Sequence, residues 1–266
     1  MVIPSYFPLV GGAEKQVSGL AHAFSKLSCQ VKIVTRLLPD TLKSDTVDGI
    51  SITRLTAKSK IKFLLSLFFY LYKNRFYFDV IHVHTLDSPA IVSVIFARLA
   101  RIPVVIKSTR SGKGTQLSRY QSTIFKRIVF KLLSELSTGI VAITDDIAKE
   151  LVGAGVSKDK IIQIPNGVKT NNAIHKSKGK CSCIYVGRLI KRKRVDWLIK
   201  AFSKSLCKSN FRLLIVGDGA EKKELEELCV HLKVNDQVDF LGELNHKDTI
   251  TKMENSCIFI LPSESE

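Results

Sequence analysis

Residues 183–207 read CIYVGRLIKRKRVDWLIKAFSKSLC, and this stretch decides the class of fold. The apolar run Cys183–Val186 predicts a buried strand, and residues 195–207 carry apolar side chains three and four apart, which predicts a helix. Between them lies a loop rich in cations. The same order of short strand, loop and amphipathic helix recurs on both sides of this stretch. Such alternation predicts an α/β protein with parallel sheets covered by helices on both faces.

Working outward, the pattern repeats along almost the whole chain. The predicted strands are residues 31–35, 50–55, 80–84, 104–106, 139–143, 183–186, 212–216, 238–241 and 257–261. The predicted helices are residues 13–28, 60–75, 88–101, 116–137, 145–154, 195–207, 220–233 and 246–255. A polar stretch without a core pattern interrupts the rhythm. We therefore predict one domain at residues 1–168, a linker at 169–180 and a second domain at 181–266.

The charge balance narrows the classes of partner. Lys and Arg number 41 and Asp and Glu 24, which gives a formal net charge of +17. This excess attracts anions: nucleic acid, an anionic membrane surface or phosphorylated small molecules. The basic residues are dispersed and form no recognised nucleic-acid module, so we do not expect nucleic-acid binding.

The cysteines and the apolar stretches indicate the cellular compartment in which the protein is expected. The six cysteines include no pair spaced C-x-x-C, so we expect neither a zinc site nor a disulfide framework, and a reducing cytoplasm is the simplest setting. The N-terminus lacks the pattern of a secretory signal. The most apolar stretch, Ile61–Tyr72, is much shorter than the roughly 20 residues of a spanning helix.

Glycines and cations at the ends of strands are the strongest candidates for a ligand site. Gly11 and Gly12 precede a helix, whose N-terminus suits a phosphate, although a plain tight turn has the same sequence. Arg188 and Lys193 follow a strand, where open α/β sheets bind ligands, and their cations suit a diphosphate.

Two further turns and one histidine pair are less specific. Gly217 and Gly219 form another turn from strand to helix, which either admits a nucleotide or is purely structural. Asn166 lies in an Asn-Gly turn that closes the first half. His82 and His84 lie two apart on one strand, and without a third ligand we expect packing or cleft lining rather than a metal.

Residues 58–77 contain an aromatic-rich apolar helix with basic ends. Its flanking cations are Arg54, Lys58, Lys60, Lys62, Lys73 and Arg75. Such a segment binds anionic lipid headgroups while its aromatic rings enter the interface. A core helix with solvated ends uses the same apolar stripe, so both interpretations stay open.

Taken in order, these motifs resemble those of glycosyltransferase family 4, the retaining enzymes built from two Rossmann-like domains that face each other across a cleft (the GT-B type). The matching stretches, in family order, are residues 6–14, 79–84, 164–168, 186–189 with Lys193, 216–219, 238–242 and 261–266. One such stretch alone is weak, whereas the ordered set is specific.

The resemblance implies a reaction and a role for particular residues. It implies transfer of a sugar from a nucleotide-diphosphate sugar to an acceptor hydroxyl, with retention and without a metal or cofactor. Gly11 and Gly12 would face the donor phosphate and the acceptor, and Arg188 and Lys193 would hold the diphosphate. Glu266 would be the first glutamate of the family's E-x7-E motif, in contact with the donor sugar.

The resemblance also adds Gly217 and Gly219 to the donor site and Glu14 and Asn166 to the cleft. The second glutamate of the motif would fall beyond residue 266, and the first strand is short, so a chain shortened at both ends is expected. Together with the charge, residues 58–77 suggest a polyprenyl-linked or other envelope glycan as acceptor, and a cytoplasmic protein on the inner face of the membrane.

The sequence departs from the family pattern at three places. Arg194 stands where the family usually has glycine, and Lys169 where it usually has aspartate. The segment after the strand at 104–106 reads KSTRSG and lacks the histidine found in many members. These departures leave the acceptor-side catalytic group open. The expected absence of the second glutamate and of the last helices leaves open an alternative from another class, an inactive remnant that at most binds anionic membrane or a partner.

Overall fold

The computed structural model of the protein describes residues 1–9, 11–56, 58–110, 112, 115–168, 182–205 and 211–264. The chain divides into two compact units, Met1–Lys169 and Thr170–Glu266. Strands and helices alternate in each of them. The linker predicted at residues 169–180 lies outside the described residues, so its bounds stay a prediction.

The first unit follows the predicted alternation. Its strands are β1 (Lys32–Arg36), β2 (Ser44–Val47), β3 (Ile50–Leu55), β4 (Ile81–Val83), β5 (Val104–Ser108), β6 (Gly139–Ala142) and β7 (Ile161–Gln163). Its helices are α1 (Gly12–Lys26), α2 (Lys60–Lys73), α3 (Ser88–Ala100), α4 (Gln116–Tyr120), α5 (Ile124–Leu136) and α6 (Asp145–Gly153), with 3-10 turns at Arg75–Tyr77 and Lys158–Lys160.

The first three residues join two groups of strands into one sheet. The groups have the orders β2-β3-β1 and β4-β5-β6-β7, and Val2 forms parallel bridges to Val34 on one side and Val83 on the other. Backbone hydrogen bonds of 2.8–3.1 Å secure both sides of this short segment. Every strand pair is parallel except β2 with β3. The strand order therefore reverses at Val2, where successive strands depart to opposite sides.

Helices cover both faces of this sheet. On one face, Val83, Ile106 and Ile140 pack in a core with side chains of α2, α3 and α5. On the other face, Ile33 and Ile52 pack against α1. This arrangement agrees with the predicted layers, because apolar side chains of the sheet pack against helices on both of its faces.

The second unit has a smaller sheet, again of parallel strands that alternate with helices. Its strands are β8 (Ser182–Val186), β9 (Arg212–Val216), β10 (Val238–Gly242) and β11 (Ile258–Phe259), and its helices are α7 (Val195–Lys204), α8 (Lys222–His231) and α9 (His246–Glu254), with 3-10 turns at Lys191–Lys193 and Asn235–Gln237. The order is β10-β9-β8-β11, all parallel. The order thus reverses between β8 and β11. Tyr185, Ile199 and Ile215 form the centre of its core.

Several predicted elements differ from the structure. The helix predicted at residues 116–137 is two helices, because the Thr123 side chain accepts a hydrogen bond from the Lys126 amide and starts α5 afresh. The strands β2 and β7 were not predicted, since both are short and largely exposed. Cys257 is disulfide-bonded, although spacing along the chain predicts no disulfide framework. Among the described residues, no helix is long and apolar enough to cross a bilayer.

Arg54 does not belong with the solvated cations around α2. It is 4% exposed, and its guanidinium donates to Asp45 Oδ2 at 2.9 Å and to the carbonyls of Leu42 and Phe7 at 3.0 Å. The hydrogen bond from Arg54, followed by one from the Thr46 amide, holds the pKa of the Asp45 carboxyl below its usual value. The cation therefore ties the edge of the sheet to the loop that follows Val2.

We expect Arg54→Met to lower the free energy of unfolding by about 1–3 kcal/mol, because it leaves two carbonyls and a carboxylate without their donor. Urea unfolding followed by circular dichroism measures the loss. Arg36→Met, at the exposed end of β1, is the matched control and should stay within about 0.5 kcal/mol. Equal stability of the two variants would contradict the structural role of Arg54.

Candidate functional site

The carboxyl ends of β8 and β11 form the clearest candidate site in the second unit. Open α/β sheets bind ligands where the strand order reverses, because the loops leave in opposite directions and open a crevice. The loop after β8 carries Arg188 and Lys193. The segment after β11 lies beside it, where the Glu264 amide donates to the Arg192 carbonyl at 3.0 Å. The two strand exits are thus joined at this edge.

The loop after β8 presents its two predicted cations differently. Leu189 is fully buried and anchors the loop, whereas Arg188 is exposed. The Arg188 carbonyl accepts hydrogen bonds from the Tyr185 hydroxyl and the Ile190 amide, both at 3.1 Å, which fixes the backbone at this residue. Lys193 lies in the 3-10 turn and is 9% exposed. The site therefore combines one solvent-facing guanidinium with one enclosed ammonium.

Gly217 and Gly219 support this loop directly. A Cβ on Gly217, whose φ is +130°, would lie 2.0 Å from the Gly187 carbonyl oxygen, and one on Gly219 would lie 2.3 Å from the Leu189 carbonyl oxygen. The Leu189 amide also donates to the Asp218 carbonyl at 2.9 Å. Of the two interpretations of this turn, the structure supports backbone packing. The glycines bring a second loop against the one that carries Arg188.

The backbone conformation of Arg194 explains why the family usually has glycine at this position. Its backbone is left-handed, with φ 51° and ψ 38°, a region that glycine enters without strain. Its guanidinium lies 4.0 Å from the centre of the Trp197 ring and 3.4 Å from the Asp196 carboxylate. These contacts offset part of the strain that an arginine incurs at this position.

In the first unit, α1 begins at the edge where the strand order reverses. Gly11 is its N-cap residue, and the Glu14 carboxylate accepts a hydrogen bond from Ser5 Oγ at 2.8 Å. A Cβ on Gly11 would lie 2.6 Å from Glu14 Oε2, whereas one on Gly12 would meet nothing within 4 Å. The carboxylate therefore lies at the helix end that was predicted to face a phosphate, and it competes there for the positive end of the helix dipole.

The turn with Asn166 lies beside the same helix. Gln16 Nε2 donates to the Gly167 carbonyl at 3.2 Å, and Asn166 is exposed. The structure thus brings the predicted residues Gly11, Glu14 and Asn166 into one region of the first unit. Glu266, the predicted contact to the donor sugar, lies outside the described residues.

One buried polar residue was missed by the sequence. Lys107 lies inside β5 and is 7% exposed, next to His84, which is 4% exposed. The rings of His82 and His84 lie 4.1 Å apart. Burial is the main reason that the pKa of His82 falls to about 4 and that of His84 to about 2. The sequence signal that could have identified Lys107 is a lysine within an otherwise apolar predicted strand, VVIKS. In the described part of the chain, no three His, Cys, Asp or Glu side chains are placed to hold a metal.

We expect Gly217→Ala to lower the stability of the second unit by about 2–4 kcal/mol, because its Cβ would overlap the Gly187 carbonyl at a backbone angle that alanine rarely adopts. Trp197, the sole tryptophan, reports urea unfolding of this unit by fluorescence. The control is Lys223→Ala, an exposed residue of α8. A variant that matches this control would mean that the two loops are not packed as described.

Comparison with known proteins follows the division into two units. Residues 10–172 match the family described as Glycosyltransferase Family 4, and residues 169–266 match Glycosyl transferases group 1. An uncharacterized glycosyltransferase of Methanocaldococcus jannaschii, MJ1607, is 26% identical over 294 residues, covering 100% of this chain and 74% of the relative. The alpha-monoglucosyldiacylglycerol synthase of Acholeplasma laidlawii is 24% identical, covering 98% of this chain and 73% of the relative.

Solved structures agree on the fold. Alr3699/HepE of Anabaena in complex with UDP has a TM-score of 0.75 at 18% identity, covering 98% of this chain and 73% of that one. Its complex with UDP-glucose gives 0.71 at 17% identity, with 98% and 72% covered. At such identities the likeness concerns the fold alone. The family match spans more than half of the chain and agrees with the sheet orders described above, and the chain therefore belongs to glycosyltransferase family 4, a family of GT-B glycosyltransferases.

Proposed function

We propose that this glycosyltransferase moves a sugar from a nucleotide-diphosphate sugar to an acceptor hydroxyl, with retention at the anomeric carbon, in the synthesis of a cell-envelope polysaccharide or glycolipid. The observation that carries the proposal is the pair Arg188 and Lys193 at the strand-order reversal of the second unit. A diphosphate leaving group needs positive charge at such an edge, and these residues supply it.

The two cations perform different parts of this task. The exposed guanidinium of Arg188 is suited to a forked contact with phosphate oxygens, and its backbone is held by the hydrogen bonds to its carbonyl. The enclosed ammonium of Lys193 acts in a drier environment, where its charge is less screened. Together they take the role of a metal cation, and the leaving phosphate accepts the proton of the acceptor hydroxyl.

The other predicted residues keep proposed roles. Glu266 contacts the donor sugar, and Gly11 and Gly12 admit the donor phosphate or the acceptor. Gly217 and Gly219 act on the donor through the loop that they support. HepE has been solved with UDP and with UDP-glucose, so UDP-glucose is the first donor to test.

We expect Arg188→Ala to lower kcat/KM for the donor by about 10²–10³-fold, equivalent to roughly 2.7–4 kcal/mol of transition-state stabilisation. Release of the nucleoside diphosphate measures it, and the anomeric proton coupling of the product tests retention. Lys191→Ala, exposed in the same loop, is the control. Unchanged turnover in Arg188→Ala would refute the assignment. A wild-type chain that binds donor without turnover would favour the inactive-remnant alternative.

We further propose that the first unit lies on an anionic membrane, as a cytoplasmic protein at the inner face. Helix α2 is apolar on two sides: Phe63, Leu67 and Leu71 are buried, while its opposite stripe is open to solvent. A helix that only packs against the core needs the buried apolar side and no exposed one. The second stripe therefore supports the membrane interpretation over a purely structural one.

The open stripe continues onto neighbouring helices. Helix α3 packs against α2 and α5, and all three lie on the same face of the sheet. We call their exposed apolar side chains the apolar helical face: Ile61, Leu65, Phe69, Tyr72, Ile95, Leu99, Ile124, Phe125, Ile128, Leu132 and Leu136. The same helices carry seven Lys or Arg and a single acidic residue, Glu135. Apolar side chains among cations match an anionic bilayer surface.

A membrane-bound enzyme suits an acceptor that is itself held in the bilayer. The relative from Acholeplasma laidlawii is named as a diacylglycerol glucoside synthase. We therefore propose a polyprenyl-linked or other lipid-linked glycan as acceptor. The charge of +17 favours the same surface over neutral lipid.

We expect the chain to float with phosphatidylglycerol liposomes at low salt and to be released by high salt. Leu65→Ser with Phe69→Ser should weaken binding at least about tenfold, because two large side chains no longer enter the interface. Leu27→Ser, which is also exposed but lies at the C-cap of α1, should bind as the wild type does. Absence of flotation at low salt would remove the proposal.

A further inference from the structure

We propose that His84 and Lys107, which are neighbours in a row that also contains Thr35 on the first unit's sheet, bind a phosphate group of the acceptor. The assignment of this phosphate to the acceptor rests on the proposed transfer reaction. The phosphate site itself stands on the geometry of the sheet.

Strand register aligns the three residues. Val2 pairs with Val34 and with Val83, and Val83 pairs with Ile106. The next residue on each strand therefore lies in one row, and it points to the opposite face from these core residues. That row reads Thr35, Ile3, His84 and Lys107, with neighbouring strands roughly 4.8 Å apart.

The row lies where a ligand of this fold is expected. His84 is the first residue after β4, and Lys107 is the second-last residue of β5. Both are therefore at the carboxyl edge of the sheet, beside the reversal of strand order at Val2. Helix α1 covers this same face through Ile33 and Ile52, and it begins at this edge.

The polar atoms in the row lack partners. Thr35 Oγ1 and His84 Nε2 are enclosed and form no hydrogen bond. Within the described residues, the Lys107 ammonium has no hydrogen bond and no ion pair, although the residue is only 7% exposed. A structural network in a core is normally satisfied by its own members, because a buried unpaired cation is costly. This row instead offers a cation and enclosed hydrogen-bonding atoms to something outside the protein chain.

The charges nearby select an anion as that ligand. Beyond the effect of burial, Lys107 lowers the pKa of both histidines and His82 lowers that of His84, and no carboxylate of the described residues is among the groups that act on them. Burial lowers the pKa of Lys107 as well as those of both histidines. An anion offsets these penalties, since it pairs with the ammonium and accepts a hydrogen bond from the neutral imidazole. A phosphate, with several acceptor oxygens, fits the adjacent side chains of His84 and Lys107, whereas Thr35 lies two strands further along the row, beyond Ile3.

A titration that needs no turnover tests the site. We follow the side-chain nitrogen signals of the histidines by ¹⁵N NMR while adding methyl phosphate to the 266-residue chain. We expect the His84 signals to shift, and Lys107→Met to raise the Kd at least about tenfold through loss of a charge-assisted hydrogen bond. Lys149→Met, at an exposed position of α6, should bind as the wild type does. Static His84 signals, or equal Kd values in the two variants, would overturn the proposal.

Stability separates a binding role from a structural one. Lys107→Met removes an unpaired buried charge at nearly constant volume, so we expect a melting temperature about 2–5 °C higher together with the lost phosphate binding. A lower melting temperature would indicate that Lys107 holds the fold and would count against the proposal.

Competition with UDP distinguishes a phosphate of the acceptor from a phosphate of the nucleotide donor. Shifts with methyl phosphate that persist in the presence of saturating UDP support an acceptor phosphate. Displacement of methyl phosphate by UDP would assign the row to the donor and overturn the acceptor assignment. Because no step of this experiment measures sugar transfer, its result is independent of the Arg188→Ala assay.

Discussion

The backbone contact between Gly217 and the Gly187 carbonyl is the constraint on which the second unit's site depends. A space too small for any Cβ separates the two loops, and the hydrogen bonds from Leu189 to Asp218 and from Gly187 to Val216 close the same seam. The Arg188 loop is therefore fixed to the neighbouring strand before any ligand arrives. Preorganised charge of this kind stabilises a leaving group without the cost of rearranging it.

The first unit also has a reversal of strand order, but its cation lies on the sheet rather than in a loop. Its strand order reverses at Val2, a residue that belongs to the sheet through hydrogen bonds on both sides. The second unit places cations in a loop beyond its sheet, whereas the first places Lys107 and His84 on the sheet itself. Arg188 in the loop is exposed to solvent, while Lys107 on the sheet is desolvated and gains more from an anionic partner.

Two features of the first unit lower its stability and for that reason point to function. Enclosed polar atoms of Thr35 and His84 form no hydrogen bond, and the apolar helical face leaves large side chains such as Phe69 and Phe125 in solvent. Neither feature helps the isolated chain to fold. Such features are typical of ligand sites, and we propose a phosphate as the ligand in one case and a lipid surface in the other.

The sequence by itself determined the class of fold, the succession of most strands and helices, and the candidate residues Arg188 and Lys193, because these follow from local periodicity and from glycine and charge at strand ends. Only the tertiary structure decided which partners these residues have. It showed that Gly217 packs against a loop 30 residues away, that Arg54 is a buried partner of Asp45, and that Lys107 lies beside His84. Strand register and burial depend on contacts distant along the chain, and no local pattern encodes them.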